Sequence, residues 1–361
     1  MASPPAVGER RRVLLLTPRL LDTSGGRACT DLALGLDRER FEPVVCCYAG
    51  WGPLAEELEA AGLEIFPLRR RAGLDLSFAI SLAREIRRRR IDVVHSLHAA
   101  KAYVVGVLSG VMAGVRTGVT TFRDRPEVRS RWVRQAGRLC GEVVGTVVAT
   151  SPEVREALLK ERWVPPGKTL VIPDGVDPAR FARAELREQA RAHWGLSEEA
   201  PVLGVVLQSA SRREWELVQE AFAYVLAEEP RARLLCCGST RVQGPIQGLG
   251  HFADTPAFYA AIDALCVPIE SRSVPLTLLE GLAAGVPIAT SHPPDSEGQA
   301  PAGPWGFTNL TGPGGHALGS GLLELLRERE AARALAREGR ACVARDYSVA
   351  QNVARIQKLY A

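Results

Sequence analysis

Short runs of consecutive apolar residues alternate along this chain with segments whose apolar positions recur every three or four. Runs at 13–17, 43–48, 64–68 and 92–95 are too short for helices and apolar on successive positions. That pattern predicts strands buried on both faces, as in a parallel sheet. Helices are expected between them at 27–35, 53–61, 76–89 and 99–113. Strands at 117–122 and 142–149 follow. Next comes a helix at 152–161, N-capped by Ser151 with Pro152 in its first turn, and then a strand at 169–173. After a charged helical stretch at 182–198, read as a linker or surface helix, the alternation resumes. Strands are expected at 202–207, 232–237 and 264–269, with a short strand or loop near His251. Helices are expected at 213–227 and 255–261, and another from near Pro275 to Gly285, with an apolar strand directly after it. The Pro- and Gly-rich interval 293–318 carries little signal, and helices at 320–328, 330–343 and 348–360 close the chain. Strand–helix alternation of this kind implies an α/β architecture. It divides into a disordered leader at 1–12, one doubly wound domain at 13–172, a second at 173–345, and a last helix at 346–361.

Composition narrows the class without choosing a function. A length of 361 residues allows two domains with separate cores, and 46% hydrophobic against 24% charged residues is ordinary for a globular chain. Eight cysteines include no C-x-x-C pair, and Cys46-Cys47 and Cys236-Cys237 fall inside apolar runs. Buried, reduced thiols are expected, with no metal and no disulfide, which fits a cytoplasmic protein. The first twelve residues lack the apolar core of a secretory signal, and the longest apolar run, 102–115, is broken by glycine and too short to span a bilayer.

The net charge of +4 conceals clustered arginine. Arg123, Arg125, Arg129, Arg131, Arg134 and Arg138 flank Val128, Trp132, Ala136 and Cys140, an apolar stripe at i, i+4 spacing. Arginine runs at 69–71 and 87–90 add to the charge of the same domain. Two readings stand: a peripheral membrane contact through the Arg123–Arg138 region, or a solvated face on a core-packed helix. No nucleic-acid partner is expected, because no aromatic or helix–turn–helix arrangement accompanies the arginines.

Candidate chemistry concentrates at 267–290. A strand there runs into a polar loop, and a helix then begins near Pro275 and stops at Gly285, Pro and Gly standing at the ends where each is favoured. The segment Ser273, Val274, Pro275, Leu276, Thr277 and Leu278 is expected at a helix N-terminus, where unpaired N–H groups and the helix dipole favour an anion. Glu280 follows one turn on, as a ribose ligand or as an ordinary helix-face glutamate. In the first domain Gly25 and Gly26 close a strand–loop–helix unit, either as a donor-phosphate loop or as a tight turn. The spacing is not G-x-G-x-x-G, so no nicotinamide fingerprint is present.

Several of these segments together resemble the retaining family-4 glycosyltransferases of the GT-B fold. They are Ser24-Gly25-Gly26, Asp92-Val93-Val94-His95-Ser96, Ile172-Pro173-Asp174-Gly175-Val176-Asp177, Glu220-Ala221-Phe222 and the run from Pro275 to Pro287. The resemblance implies two Rossmann-like doubly wound domains facing across a cleft. It places a nucleotide-diphosphate-sugar donor on the second and an acceptor (glycan, lipid or small molecule) on the first. It also implies a last helix that returns to the first domain, no cofactor beyond the donor as co-substrate, and no metal. Breaking the sugar–diphosphate bond develops negative charge on the diphosphate, so a metal-free site needs fixed donors there. Retention follows from front-face attack without a protein nucleophile.

The resemblance assigns roles and also shows departures. Arg213 and Arg212 fall where basic groups meet the diphosphate, with surface salt bridging as the alternative for Arg213. Arg123 stands where members carry a histidine near the donor sugar. Gln208 replaces an arginine expected after strand 202–207. Arg272 replaces a glutamate expected eight positions before Glu280; it meets phosphate or an anionic sugar, or is a drifted loop residue. His95 and His98 end a parallel strand, with a structural or acceptor-side role. The inverted charge at Arg272 and the neutral Gln208 motivate a competing reading, a catalytically degenerate relative that binds a partner or ligand. A GT-B epimerase is a further one.

Overall fold

The computed structural model describes residues 10–361 apart from 22, 69–75, 98–99, 124, 127–130, 182–184, 208–211, 239–241, 251–254, 269–274, 292–307 and 313. The chain forms two compact units, residues 1–175 with 349–361, and residues 176–348.

In the first unit the order is β1 (Arg11–Arg19), α1 (Ser24–Gly35), β2 (Phe41–Gly50), α2 (Pro53–Ala60), β3 (Glu64–Pro67), α3 (Leu76–Arg88), β4 (Val93–Leu97) and α4 (Ala100–Ala113). β5 (Thr117–Phe122), α5 (Arg131–Val143), β6 (Thr146–Ala149), α6 (Pro152–Lys160) and β7 (Thr169–Val171) complete it. Its seven strands lie in the order β3-β2-β1-β4-β5-β6-β7, all parallel. Strand β1 shows why the sequence reads as it does. Val13 and Leu15 enter one core cluster, with Cys29, Leu32 and Leu54 from the helices beside them; Leu14 and Leu16 enter the cluster on the other face, with Phe78 and Leu82. A strand covered on both faces keeps every position apolar.

The second unit runs α7 (Pro178–Phe181), α8 (Leu186–His193), β8 (Val202–Val206), α9 (Arg212–Glu228), β9 (Arg233–Cys237), β10 (Val242–Gln243), β11 (Ile246–Gly250) and α10 (Thr255–Ala261). It continues with β12 (Ala264–Val267), α11 (Leu276–Ala284), β13 (Ile288–Ser291), β14 (Asn309–Thr311), α12 (Gly315–Arg327) and α13 (Arg329–Asp346). The order β10-β11-β9-β8-β12-β13-β14 is parallel except for the β10–β11 pair. The last helix, α14 (Val349–Gln357), with the 3-10 turn Lys358–Tyr360, belongs to the first unit, where Val353, Ile356 and Tyr360 join the core of α1 and β1.

Several expectations change. The charged stretch 182–198 is not one surface helix: it contains α8, which ends before Gly195 at φ +64°. Arg191 on α8 is only 1% exposed. Its guanidinium donates to Asp263 and to the carbonyls of Ala261, Ser197, Glu198 and Ala200, which folds the following chain back against the helix. The strand expected at 142–149 shortens to β6, because Glu142 and Val143 complete α5. α1 starts at Ser24, three residues early, because Thr23 caps it: its hydroxyl accepts from Gly26 N at 3.3 Å. The low-signal interval 293–318 contains the three-residue strand β14 and the start of α12.

Candidate active site

In a doubly wound sheet the crevice for a ligand opens beyond the carboxyl ends of the two strands where the order reverses. In the second unit those strands are β8 and β12, which pair with each other, Ala264 with Leu203 through Cys266 with Val205. β8 leads into α9 and β12 into α11, so both helices present their N-termini at this edge.

α11 begins directly after Pro275, whose extended backbone (φ −70°, ψ 146°) makes it the cap. Leu278 N donates to the Pro275 carbonyl at 3.0 Å, and no side chain among the described residues caps the helix. The amides of Leu276 and Thr277 therefore stand at the open end of the dipole. Gly285, at φ +71°, stops the helix as the sequence indicates.

Glu280 sits one turn in and is half-buried. The buried Tyr259 of α10 donates its hydroxyl proton to Glu280 Oε2 at 2.9 Å, and the Thr277 carbonyl lies 3.4 Å from the same hydroxyl oxygen. Burial, reinforced by the neighbouring Glu280 carboxylate, raises the Tyr259 hydroxyl well above the usual phenol range, so it remains a donor at any physiological pH. One oxygen of Glu280 is thus fixed from behind. Sequence reasoning did not find Tyr259: a tyrosine in an ordinary apolar helix carries no local signal that it meets a carboxylate 21 residues on.

Arg212 and Arg213 occupy the first turn of α9, beside the same edge, and both are exposed. Arg212 Nε donates to Glu216 at 2.8 Å, an i, i+4 pair that is 92% exposed on the arginine side. Such a pair is worth about 0.3–0.5 kcal/mol and leaves the guanidinium available to a stronger anion. Gln208, Arg272, Ser273 and Val274 lie outside the described residues, so the two departures at Gln208 and Arg272 have no structural account here.

The described candidates of the first unit are Gly25, Gly26, His95 and Arg123. Gly25 and Gly26 are not in a loop: they form the first turn of α1, and the Gly26 amide already meets Thr23. A Cβ on Gly26 would sit 2.1 Å from the Leu21 carbonyl, so the chain's own backbone requires glycine there. His95 is fully buried; Nδ1 lies 2.6 Å from the Tyr360 hydroxyl and Nε2 2.8 Å from Thr121 Oγ1. Burial pulls its pKa down to about 3, so the ring is neutral, one nitrogen donating and the other accepting. Of its two expected roles, the geometry supports the structural one, since a wholly enclosed ring has no surface for an acceptor. His98 is outside the described residues. Arg123 Nε donates to Asp174 Oδ2 at 2.9 Å, with Nη2 at 2.6 Å from the same oxygen, in a largely buried pair. Its charge is therefore matched within the first unit.

Residues 25–180 match the model of Glycosyltransferase Family 4, and residues 200–303 that of Glycosyl transferases group 1. The D-inositol 3-phosphate glycosyltransferase of Geodermatophilus obscurus is 31% identical over 192 residues, 46% of this chain and 42% of that protein. The UDP-Gal:alpha-D-GlcNAc-diphosphoundecaprenol alpha-1,3-galactosyltransferase of Escherichia coli is 24% identical, over 71% of this chain and 73% of its own. For most of the curated relatives it matches, the chain spans about half of their length. Among solved structures, Anabaena HepE in complex with UDP and glucose superposes with a TM-score of 0.79 at 18% identity, covering 97% of this chain and 99% of that one. WaaG, a glycosyltransferase involved in lipopolysaccharide biosynthesis, gives 0.69 at 15%, covering 95% and 99%. At these identities the structural likeness establishes the fold.

Proposed function

We infer the activity from the premise that this chain belongs to the family-4 glycosyltransferases of the GT-B fold. It transfers a sugar from a nucleotide-diphosphate donor to an acceptor hydroxyl, with retention of anomeric configuration. The observation that carries this reading is the edge of β8 and β12, where Glu280, fixed by Tyr259, stands one turn inside the open N-terminus of α11, with Arg212 and Arg213 on the neighbouring helix.

Each part has a charge to meet. Cleavage of the bond between the sugar's anomeric carbon and the terminal phosphate oxygen leaves the electron pair on the diphosphate. The first-turn amides of α11 and the arginines of α9 oppose that charge without reorganising, which is why such donors lower the barrier. In this reading they do so without a metal. Glu280, an acceptor-only group, takes hydrogen bonds from the ribose hydroxyls. The new bond joins the acceptor oxygen to the anomeric carbon on the face the phosphate leaves, and the acceptor's proton passes to the departing phosphate oxygen. No protein nucleophile is consumed. All eight cysteines are buried free thiols, which supports a cytoplasmic setting.

The test is turnover across a panel of UDP- and GDP-sugars, with and without candidate glycan and lipid acceptors, reading nucleoside diphosphate release and the anomeric configuration of the product by NMR. Retained product supports the reading. Inverted product overturns the stereochemistry. Absence of both turnover and nucleotide binding overturns the enzyme in favour of a non-catalytic relative.

A further inference from the structure

α10 fixes the carboxylate of the site, yet it is too short to fix itself. It carries Tyr259, whose hydroxyl donates to Glu280 at 2.9 Å, and it has seven residues, fewer than an isolated helix needs. The neighbouring α11 is seated by the sheet: a Cβ on Gly281 would lie 2.6 Å from Leu265 Cδ2 and 3.0 Å from Ile288 Cδ1. α10 approaches β8 as closely, since a Cβ on Gly204 would lie 2.6 Å from Ile262 Cδ1 and 2.8 Å from Phe258 Cζ. Such apolar contacts set how near each helix lies to its strand, but they are non-directional and do little to stop α10 sliding along its axis.

Two arginines one turn apart on α8 supply that constraint. Arg187 Nη1 donates to the carbonyls of Ala260 and Ile262 at 3.1 and 3.3 Å, and Arg191 Nε to that of Ala261 at 2.9 Å. These carbonyls close the helix, where intrahelical donors run out and a cation matches the dipole. Both guanidiniums also meet Asp263, Arg187 Nη2 at 2.6 Å from Oδ1 and Arg191 Nη2 at 2.7 Å from Oδ2. Asp263 Oδ2 accepts in addition from Val202 N at 2.8 Å, which ties the end of α10 to the first residue of β8. Arg191 is almost wholly buried, and a buried guanidinium is a poor source of stability compared with an apolar side chain of its size. What its planar fork adds is direction.

We propose that Arg187, Arg191 and Asp263 are positioning residues for Glu280, acting through α10 and Tyr259. Tyr259 directly precedes the clamped carbonyls, so a shift of that turn carries its hydroxyl with it. An O–H···O bond spans only about 2.5–3.0 Å, and a displacement of about 0.5 Å is enough to loosen it. Released from Tyr259, the Glu280 carboxylate would take other rotamers and meet the ribose hydroxyls less often. The consequence for nucleotide binding rests on Glu280 as the ribose ligand, the reading proposed above.

A double-mutant cycle between Arg191→Lys and Tyr259→Phe in the full chain tests it. Lysine keeps the charge and loses the fork. By calorimetry with UDP and GDP, each single variant should bind about tenfold more weakly than the wild type. The double variant should also lose about tenfold, because the same hydrogen bond is missing from all three, whereas independent effects would multiply to about a hundredfold. Urea unfolding of the same four proteins reads the linkage without nucleotide. Tyr259→Phe should lower the midpoint in the wild-type background and leave it unchanged in the Arg191→Lys background. Arg187→Gln, at the more exposed arginine of the pair, repeats the cycle if Arg191→Lys does not fold. The proposal is overturned if Arg191→Lys lowers the unfolding midpoint and leaves the affinity of the folded protein unchanged, or if the two affinity losses multiply. A wild type that binds neither nucleotide, with the unfolding linkage intact, overturns the ribose reading and supports the clamp on Glu280.

Discussion

The two units share a plan and use it in opposite ways. Each has a seven-stranded sheet whose order reverses beside its first strand, β1 against β4 in one and β8 against β12 in the other. In the first unit, polar groups close to that reversal are consumed by the structure. His95 on β4 is enclosed by Tyr360 and Thr121, Tyr360 also packs edge-on against Phe41, and its carbonyl takes a hydrogen bond from Arg11. In the second unit the corresponding edge holds a half-buried carboxylate, open helix amides and two exposed arginines. The same topology can thus close on the chain's own C-terminus or present charge to a ligand. What separates them is burial: His95 and Tyr360 are fully enclosed, whereas Glu280 is half-buried and Arg212 and Arg213 are exposed.

The comparison can be broken first where it is most costly. Tyr360→Ala removes a fully buried ring and leaves His95 Nδ1 without its partner, and should destabilise the first unit by about 3–5 kcal/mol. Thermal unfolding should show the loss, while nucleotide affinity in the folded protein stays at the wild-type value. Arg123→Ala leaves Asp174 buried without its cation and should cost about 3 kcal/mol, much of it regained when Asp174→Ala is added. An affinity loss for nucleotide in folded Arg123→Ala, without a matching loss of stability, would instead make Arg123 part of the site.

His95 gives the comparison a pH signature. Its folded pKa of about 3 lies below the ordinary histidine value of 6.5, so between these values the unfolded chain binds the extra proton. Stability from this group is complete above about pH 6.5 and falls with pH toward 3, by about 2 kcal/mol at pH 5. Denaturant titrations at pH 5 and 7.5 should show that slope in the wild type and lose that component in His95→Gln. The smallest expected effect is at Tyr259→Phe, which removes one hydrogen bond to a carboxylate. About 1.5 kcal/mol, or roughly tenfold in nucleotide affinity, is expected.

What the sequence disclosed follows from which interactions are local. Strands buried on both faces announce themselves, as 117–122 does with bounds identical to β5. The helix stop at Gly285 is equally local, since a left-handed residue there needs glycine. Thr23 is a local signal as well, but the glycines after it read as loop and hid the start of α1. Other features depend on distant partners. Trp132 and Cys140 are indistinguishable by spacing on a helical stripe, and only packing against α4 decides which faces inward. Arg191 reads as surface charge until Asp263 and four carbonyls enclose it. Tyr259 with Glu280, and His95 with Tyr360, are pairs separated by 21 and 265 residues, and nothing in either neighbourhood names the other member.

The central claim is that the edge of β8 and β12 binds a nucleoside diphosphate through Glu280 and the N-terminus of α11. Isothermal titration of UDP and of GDP into the wild type and into Glu280→Gln tests it most directly. The wild type should bind one of the two, and the glutamine variant should bind it about 10- to 100-fold more weakly, the loss of a charge-assisted hydrogen bond. Equal affinity in the two proteins, or no heat from either nucleotide with the folded wild type, would contradict it.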